Sequence, residues 1–169
     1  MAASFTTSRL TVTELTAGSS ELAVTSLIAE IPTILTLAVV ENLPPYFHGV
    51  TSIELAETWL NTMLSESRLF VVQSNEGAYI GFLFAYEDED DGAHIGYLLA
   101  EPYWGKGLAS ELLQGFMNDV LPKEGWRKLI GGVEQSNVAS ANLLKKLGFA
   151  EKPSDDSSVV FYEYSASKE

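Results

Sequence analysis

Apolar positions along this chain change period several times, and each change marks a predicted element. Arg9 to Leu15, RLTVTEL, alternates as a strand. Ser19 to Ala29 takes helical spacing, with Ser19 or Ser20 as N-cap. Ile31 to Val50 keeps no period. Pro32, Pro44 and Pro45 stand there beside Tyr46, Phe47 and His48, so an irregular covering segment is expected. Thr51 then caps a helix running to about Leu64, with Leu55, Trp59 and Met63 spaced along one face. Leu69 to Ser74, Tyr79 to Glu87 and Ala93 to Ala100 read as consecutive strands. Asn75 to Gly77 and the acidic run Tyr86 to Gly92 supply their turns, which predicts an antiparallel meander.

Beyond that meander the period becomes helical. Leu108, Leu112, Phe116 and Val120 form one row, Ala109, Leu113, Met117 and Leu121 the next, and Pro122 stops the helix. Two adjacent apolar rows belong to a helix lying flat on a sheet. Arg127 to Glu134 is the next strand, so strand, helix and strand form a crossover with parallel pairing and right-handed connection. A last helix follows, with Ser136 or Asn137 as N-cap, Lys145 and Lys146 in its final turn and Gly148 at a left-handed stop. Val159 to Tyr164 closes the chain as a strand. No repeat, low-complexity tract or linker interrupts this order. Residues 1–169 are therefore expected to form a single α/β domain.

Charge narrows the partners. A formal net charge of −13 repels phosphate backbones and anionic membranes and attracts cations, so nucleic acid and membrane are not expected as partners, whereas an amine-bearing substrate gains in encounter rate. The run YEDEDDG reads as a solvated hairpin tip. The chain has no cysteine, which removes disulfides, thiolate metal sites and any cysteinyl intermediate, and no metal site is expected. The greasiest stretch, Leu22 to Val40, is broken by Glu30 and Pro32, and the N-terminus lacks the order of a secretory signal. A soluble, cytoplasmic protein is expected.

The chemistry concentrates at YWGKGLAS, Tyr103 to Ser110, where a strand hands over to a helix. Gly105 and Gly107 permit a tight turn that leaves the amides from about Gly105 to Ala109 unpaired and pointing one way. With the helix dipole they form an anion site suited to a pyrophosphate, and Lys106 adds positive charge. A nucleoside triphosphatase loop needs Ser or Thr where Gly107 stands, and the dinucleotide fingerprint needs glycine where Ser110 stands. A glycine-rich turn without a ligand is the competing reading.

YWGKGLASELL after HIGYLLAEP, followed by NVASANLLKKLGF, resembles the GNAT acetyltransferases, most closely their RimJ/RimL branch. The superfamily's Q/R-x-x-G-x-G/A is matched from Trp104 to Ala109, with Trp104 in place of Gln or Arg. The resemblance implies a mixed, splayed β-sheet flanked by helices, with acetyl-CoA as co-substrate. It places the pyrophosphate on the loop Trp104, Gly105, Lys106, Gly107, Leu108, Ala109 and Ser110, and the pantetheine arm against the backbone of Leu98, Leu99 and Ala100. Homodimers, frequent in that family, join the expectations.

Asn137, Ser140 and Leu144 fall on one face if Asn137 begins the helix. Asn137 then reaches the pantetheine amide and Ser140 the sulfur. The competing readings are a plain helix cap and a small packing residue. Many family members carry at the place of Leu144 a tyrosine that protonates the departing thiolate, so here that role passes to Ser140 if any residue has it. Without cysteine, transfer is expected directly to the amine within a ternary complex. His94 or Glu134, the latter through water, would act as base, and Glu41, Tyr46 and His48 would line the acceptor site. The acceptor is a protein N-terminus, a polyamine or an aminoglycoside-like amine. A silent acyl-CoA-binding module of the same fold is the alternative.

Overall fold

The computed structural model describes residues 3–16, 19–41, 43–88, 92–152 and 158–165. Its strands are β1 (Ser4–Thr6), β2 (Leu10–Leu15), β3 (Arg68–Ser74), β4 (Tyr79–Glu87), β5 (Gly92–Leu99), β6 (Lys128–Glu134), β7 (Ala150–Lys152) and β8 (Val159–Ser165). They form one eight-stranded sheet in the order β1-β2-β3-β4-β5-β6-β8-β7. β3 to β5 are the expected meander, and β5 pairs with β6 in parallel. Residues 89–91 of the acidic run lie outside the described residues.

The helices are α1 (Glu21–Ile34), α2 (Leu37–Val40), α3 (Ile53–Glu66), α4 (Leu108–Asp119), α5 (Leu121–Glu124) and α6 (Val138–Lys146). They cover both faces of the sheet. Leu112, Leu113 and Phe116 of α4 and Leu144 of α6 pack with Leu83, Ala85, Ala93, Ile95 and Leu99 on one face. Leu27, Ile31 and Ile34 of α1 and Trp59, Leu60 and Met63 of α3 pack with Leu69, Phe82 and Leu98 on the other. This alternation along β4 and β5 is the period of two made physical. The fold is therefore a mixed α/β sheet flanked by helices. Among the described residues no helix is long and apolar enough to cross a membrane.

Four expectations change. The segment from Ile31 is not irregular throughout: α1 runs through Pro32 to Ile34, α2 follows, and Pro45–Phe47 is a 3-10 turn. Pro32 removes one helical hydrogen bond, and burial of Ile31 and Ile34 offsets that loss. Ser52, not Thr51, caps α3, its Oγ accepting from the N–H of Leu55 at 3.1 Å. Leu55 is 48% exposed, because each four-residue step drifts about 40° around a helix and carries it off the stripe formed by Ala56, Trp59, Leu60 and Met63. Pro122 ends α4 by opening a second short helix, where a missing N–H is harmless. β1 and β7 were not anticipated, since three residues are too few to show a period.

Candidate functional site

The parallel pairing of β5 with β6 runs from Gly92 opposite Lys128 to Ile95 opposite Gly131 and stops there. Both strands continue, β5 to Leu99 and β6 to Glu134, so the sheet opens into a fork. The N–H of Ala100 donates to Ile80 O on the β4 side at 2.8 Å. Backbone groups alternate in direction, so those of Leu98 and Ala100 face β4 while those of Tyr97 and Leu99 face the fork. The carbonyl of Leu99 accepts from Nε1 of Trp104 at 2.8 Å. This narrows the expectation for Leu98 to Ala100: Ala100 has its N–H engaged elsewhere, and the backbone groups facing the fork without that engagement are those of Tyr97 and the N–H of Leu99.

At the mouth of the fork stands the start of α4. Its N-cap, Gly107, has φ 78°, a left-handed conformation that a Cβ would strain, and Gly105 has φ 73°. No side chain caps α4, and its first backbone bond within the helix is from the N–H of Glu111 to Gly107 O. The N–H groups of Leu108, Ala109 and Ser110 therefore keep no intrahelical partner and offer an anion cradle.

Arg9 holds this loop from outside. Its Nη1 donates to Lys106 O at 2.9 Å, and its Nε donates to Glu111 Oε1 at 2.7 Å. Glu111 also accepts from the N–H of Arg9 and from the hydroxyl of Thr7. Burial alone would raise the Glu111 carboxyl, but the hydrogen bonds from Thr7 and Arg9 outweigh it and hold the group below its ordinary value. An acid in the first turn of α4 is thus tied and partly neutralised beside the cradle.

Two clefts meet at the fork. A loop cleft of about 640 Å³ is lined by Glu41, Leu99, Trp104, Gly105, Gly107, Leu108, Ala109, Ser110, Asn137 and Ser140, among others. An aromatic cleft of about 670 Å³ lies beyond it, with Tyr46, Phe47, Phe84, Tyr86 and His94 in its wall. Leu43, Tyr97 and Leu98 line both. The two clefts therefore adjoin along Leu43, Tyr97 and Leu98.

The expected residues distribute as follows. Asn137 caps α6, its Oδ1 accepting from the N–H of Ser140 at 3.3 Å, so the cap is real, and the residue also lines the loop cleft. Ser140 Oγ shares a 2.9 Å hydrogen bond with the Tyr97 hydroxyl. Leu144 is buried and packs on Gly131 of β6. Tyr46 and His94 reach the aromatic cleft, and His94 Nε2 lies 3.4 Å from Asp88 Oδ2. Glu41 lines the loop cleft instead of the aromatic one. Three of the expected residues are outside both walls besides Ala100: Lys106, Glu134 and His48. The imidazole of His48 bonds the carbonyl of Leu43 at 3.0 Å, and Glu134 ends β6 with its carbonyl accepting from the N–H of Asn137.

Tyr97 and Arg9 are the residues that sequence reasoning missed. Tyr97 alternates with Leu98 in an ordinary strand pattern, and Arg9 opens one, so neither carries a local signal. Burial pushes the Tyr97 phenol up, partly offset by its bond to Ser140. It stays protonated at neutral pH and is a donor at the junction of the clefts.

A family model described as an acetyltransferase (GNAT) domain matches residues 27–150. Among solved structures, the chain is similar to an acetyltransferase of the GNAT family from Bacillus anthracis, at 17% identity and a TM-score of 0.74 over 96% of both chains. It is also similar to RimL, a ribosomal L7/L12 alpha-N-protein acetyltransferase in complex with coenzyme A, at 18% identity and a TM-score of 0.73 over 94% of both chains. A mutant form of SpeG, a spermidine N-acetyltransferase from Vibrio cholerae, gives 18% and 0.70 over 94% of both. No curated protein matches the sequence. At these identities the structural likeness speaks for the fold.

Proposed function

Because the chain belongs to the GNAT acetyltransferase family, we propose that it is an acetyl-CoA-dependent N-acetyltransferase that passes the acetyl group directly to a primary amine. The observation that carries this reading is the shared wall of Leu43, Tyr97 and Leu98, where an acyl donor in the loop cleft and an amine in the aromatic cleft would meet. The open start of α4, the unpaired fork and the absence of side-chain capping suit an anionic pyrophosphate on an extended arm.

Acetyl-CoA, when bound, supplies a thioester carbonyl open to attack by an amine. In this proposal the N–H groups of Leu108, Ala109 and Ser110 hold the pyrophosphate, and the charges of Arg9 and Lys106 offset the acidity of the chain. The backbone of Tyr97 and Leu99 pairs with the pantetheine arm, and Asn137 donates to its amide. A backbone N–H of the fork stabilises the oxyanion. His94, in the wall of the aromatic cleft and beside Asp88, takes the proton from the acceptor. Glu134 would act only through water, from outside both walls. Tyr97, with Ser140 bonded to it, delivers a proton to the departing sulfur, a role that Leu144 cannot fill. The absence of cysteine fits both direct transfer and a reducing, cytoplasmic setting.

Leu144 also favours a second reading, a silent acyl-CoA-binding module. Calorimetry with coenzyme A, followed by release of free thiol from acetyl-CoA across peptides with free N-termini, polyamines and aminoglycosides, separates the two. Binding with thiol release against one amine class supports the enzyme. Binding without release against any amine supports the module, and no binding removes both.

A further inference from the structure

The wall of the aromatic cleft is specific about charge and shape, and both properties belong to whatever molecule enters it. Its aromatic side is Tyr46, Phe47, Phe84 and Tyr86, with Tyr46 54% and Tyr86 57% exposed and therefore available to a guest. The Tyr46 and Phe47 rings lie 5.0 Å apart, and Phe47 meets Phe84 edge-on at 5.7 Å, so the surface is built to take a further ring or alkyl body. Ser65, Glu66 and Ser67, from the end of α3, form the polar side. Helix carbonyls at that end carry partial negative charge, no basic residue stands in the last turn, and Glu66 adds a full carboxylate.

Among the described residues this wall holds no lysine or arginine, and its histidine, His94, lies against Asp88. The nearby Arg68 is already taken: Glu14 lies 2.8 Å from it, Glu124 2.9 Å and Glu87 3.7 Å. An acceptor carrying its own carboxylate next to the amine would find no partner for that charge, while Glu66 and the end of α3 would repel it. A polyamine would bring further ammonium groups to a wall whose only carboxylate among the described residues is Glu66.

We infer that the acceptor is a primary amine borne on an aromatic or large apolar body with no adjacent carboxylate, the ammonium held by Glu66 and the end of α3 and the body held by Tyr46, Phe84 and Tyr86. This inference rests on the transferase reading above and specifies its acceptor. Arylalkylamines and peptide N-termini whose first side chain is large and apolar share this chemistry. An arylalkylammonium must still lose a proton before attack, which places the cation beside Glu66 on entry and the neutral nitrogen near Tyr97 and His94 at reaction. The ammonium gives its first proton to solvent; the bond then formed is N–C to the acetyl carbon, the bond broken is C–S, and the second proton lost by nitrogen balances the proton gained by sulfur.

The test is a matched series with the full chain and acetyl-CoA, read by thiol release: 2-phenylethylamine, phenylalaninamide, phenylalanine and spermidine. The expected kcat/KM for the first two exceeds that for phenylalanine and for spermidine by about tenfold or more. Glu66→Gln is expected to raise KM for phenylethylamine several-fold while acetyl-CoA affinity stays, since Glu66 does not line the loop cleft. Glu66→Lys should shift preference from phenylalaninamide toward phenylalanine. Equal or better turnover of phenylalanine or spermidine overturns the inference and leaves the transferase reading standing. Silence of both aromatic amines with acetyl-CoA demonstrably bound overturns it too. Failure to bind acetyl-CoA overturns the transferase reading itself, and the inference with it.

Discussion

Tyr97 shows how much one hydroxyl depends on its surroundings. On an exposed strand it would be a solvated phenol, but here burial raises it and Ser140 fixes its direction at 2.9 Å. In the proposed complex Tyr97 donates to the coenzyme A sulfur, a charge-assisted hydrogen bond that favours the ionised thiol. The thiol of coenzyme A bound to the wild-type protein should therefore titrate about one pH unit lower than when bound to Tyr97→Phe. Thiolate absorbance across a pH titration of the binary complex measures it, without any acceptor. Ser140→Ala should give a smaller change in the same direction. An identical titration in wild type and Tyr97→Phe would make Tyr97 a packing residue. Gly107 acts at the same scale through its backbone. Gly107→Val forces a β-branched residue into a left-handed conformation, at a cost of about 1–2 kcal/mol. Coenzyme A binding should be lost by calorimetry while the chain still melts cooperatively.

Between elements, Arg9, just before β2, straps the loop ahead of α4 through Lys106 O and Glu111. Arg9 is an exposed partner, with 51% of its side chain accessible, so its ion pair with Glu111 contributes no more than about 1 kcal/mol to stability. Its larger effect is local. Without Arg9, the Glu111 carboxylate stands uncompensated in the first turn of α4, and the carbonyl of Lys106 loses its tie. Arg9→Ala should therefore weaken coenzyme A binding several-fold with little change in melting temperature. A fall in melting temperature with binding unaltered would make the strap purely structural. The strands β3 to β6 and the helices α4 and α6 were legible from period and capping residues, because each buries one face against the same sheet. The strap was not legible, because it joins residues about a hundred positions apart and charged pairs leave no periodic trace.

Over the whole molecule, a chain of net charge −13 sets Arg68 among several carboxylates. Arg68 pairs with Glu14 and Glu124 and lies over the rings of Phe70 and Trp126. Burial would raise the Glu14 carboxyl, yet hydrogen bonds from Arg68 and from the N–H of Ala3 outweigh it and lower the group below its ordinary 4.5. A carboxyl lowered in the folded state contributes stability above its unfolded pKa and loses it as pH falls through the folded value. Glu14→Gln should cost about 1–3 kcal/mol at pH 7 by weakening the bonds to Arg68, which keeps Glu124 as a partner. The gap in melting temperature between wild type and variant should then close below about pH 4.5. The difference between the two proteins is the measurement, because acidification also relieves self-repulsion in both. A gap that stays constant down to pH 3 would remove Glu14 from this account.

By itself the sequence determined the order of the longer elements, the parallel crossover and the glycine loop at the start of α4. Each is a local property, set by the period of burial, by capping or by the steric freedom of glycine over a few residues. The continuation of α1 through Pro32 and the burial of Leu144 on Gly131 depended on neighbours distant in the chain. So did the fork, because nothing within β5 or β6 announces where their pairing ends. Tertiary structure alone decided that Tyr97 of β5 would meet Ser140 of α6, and that two clefts would share that wall. Side-chain chemistry is written in the sequence, but the distance between two side chains is fixed only when the sheet and helices pack.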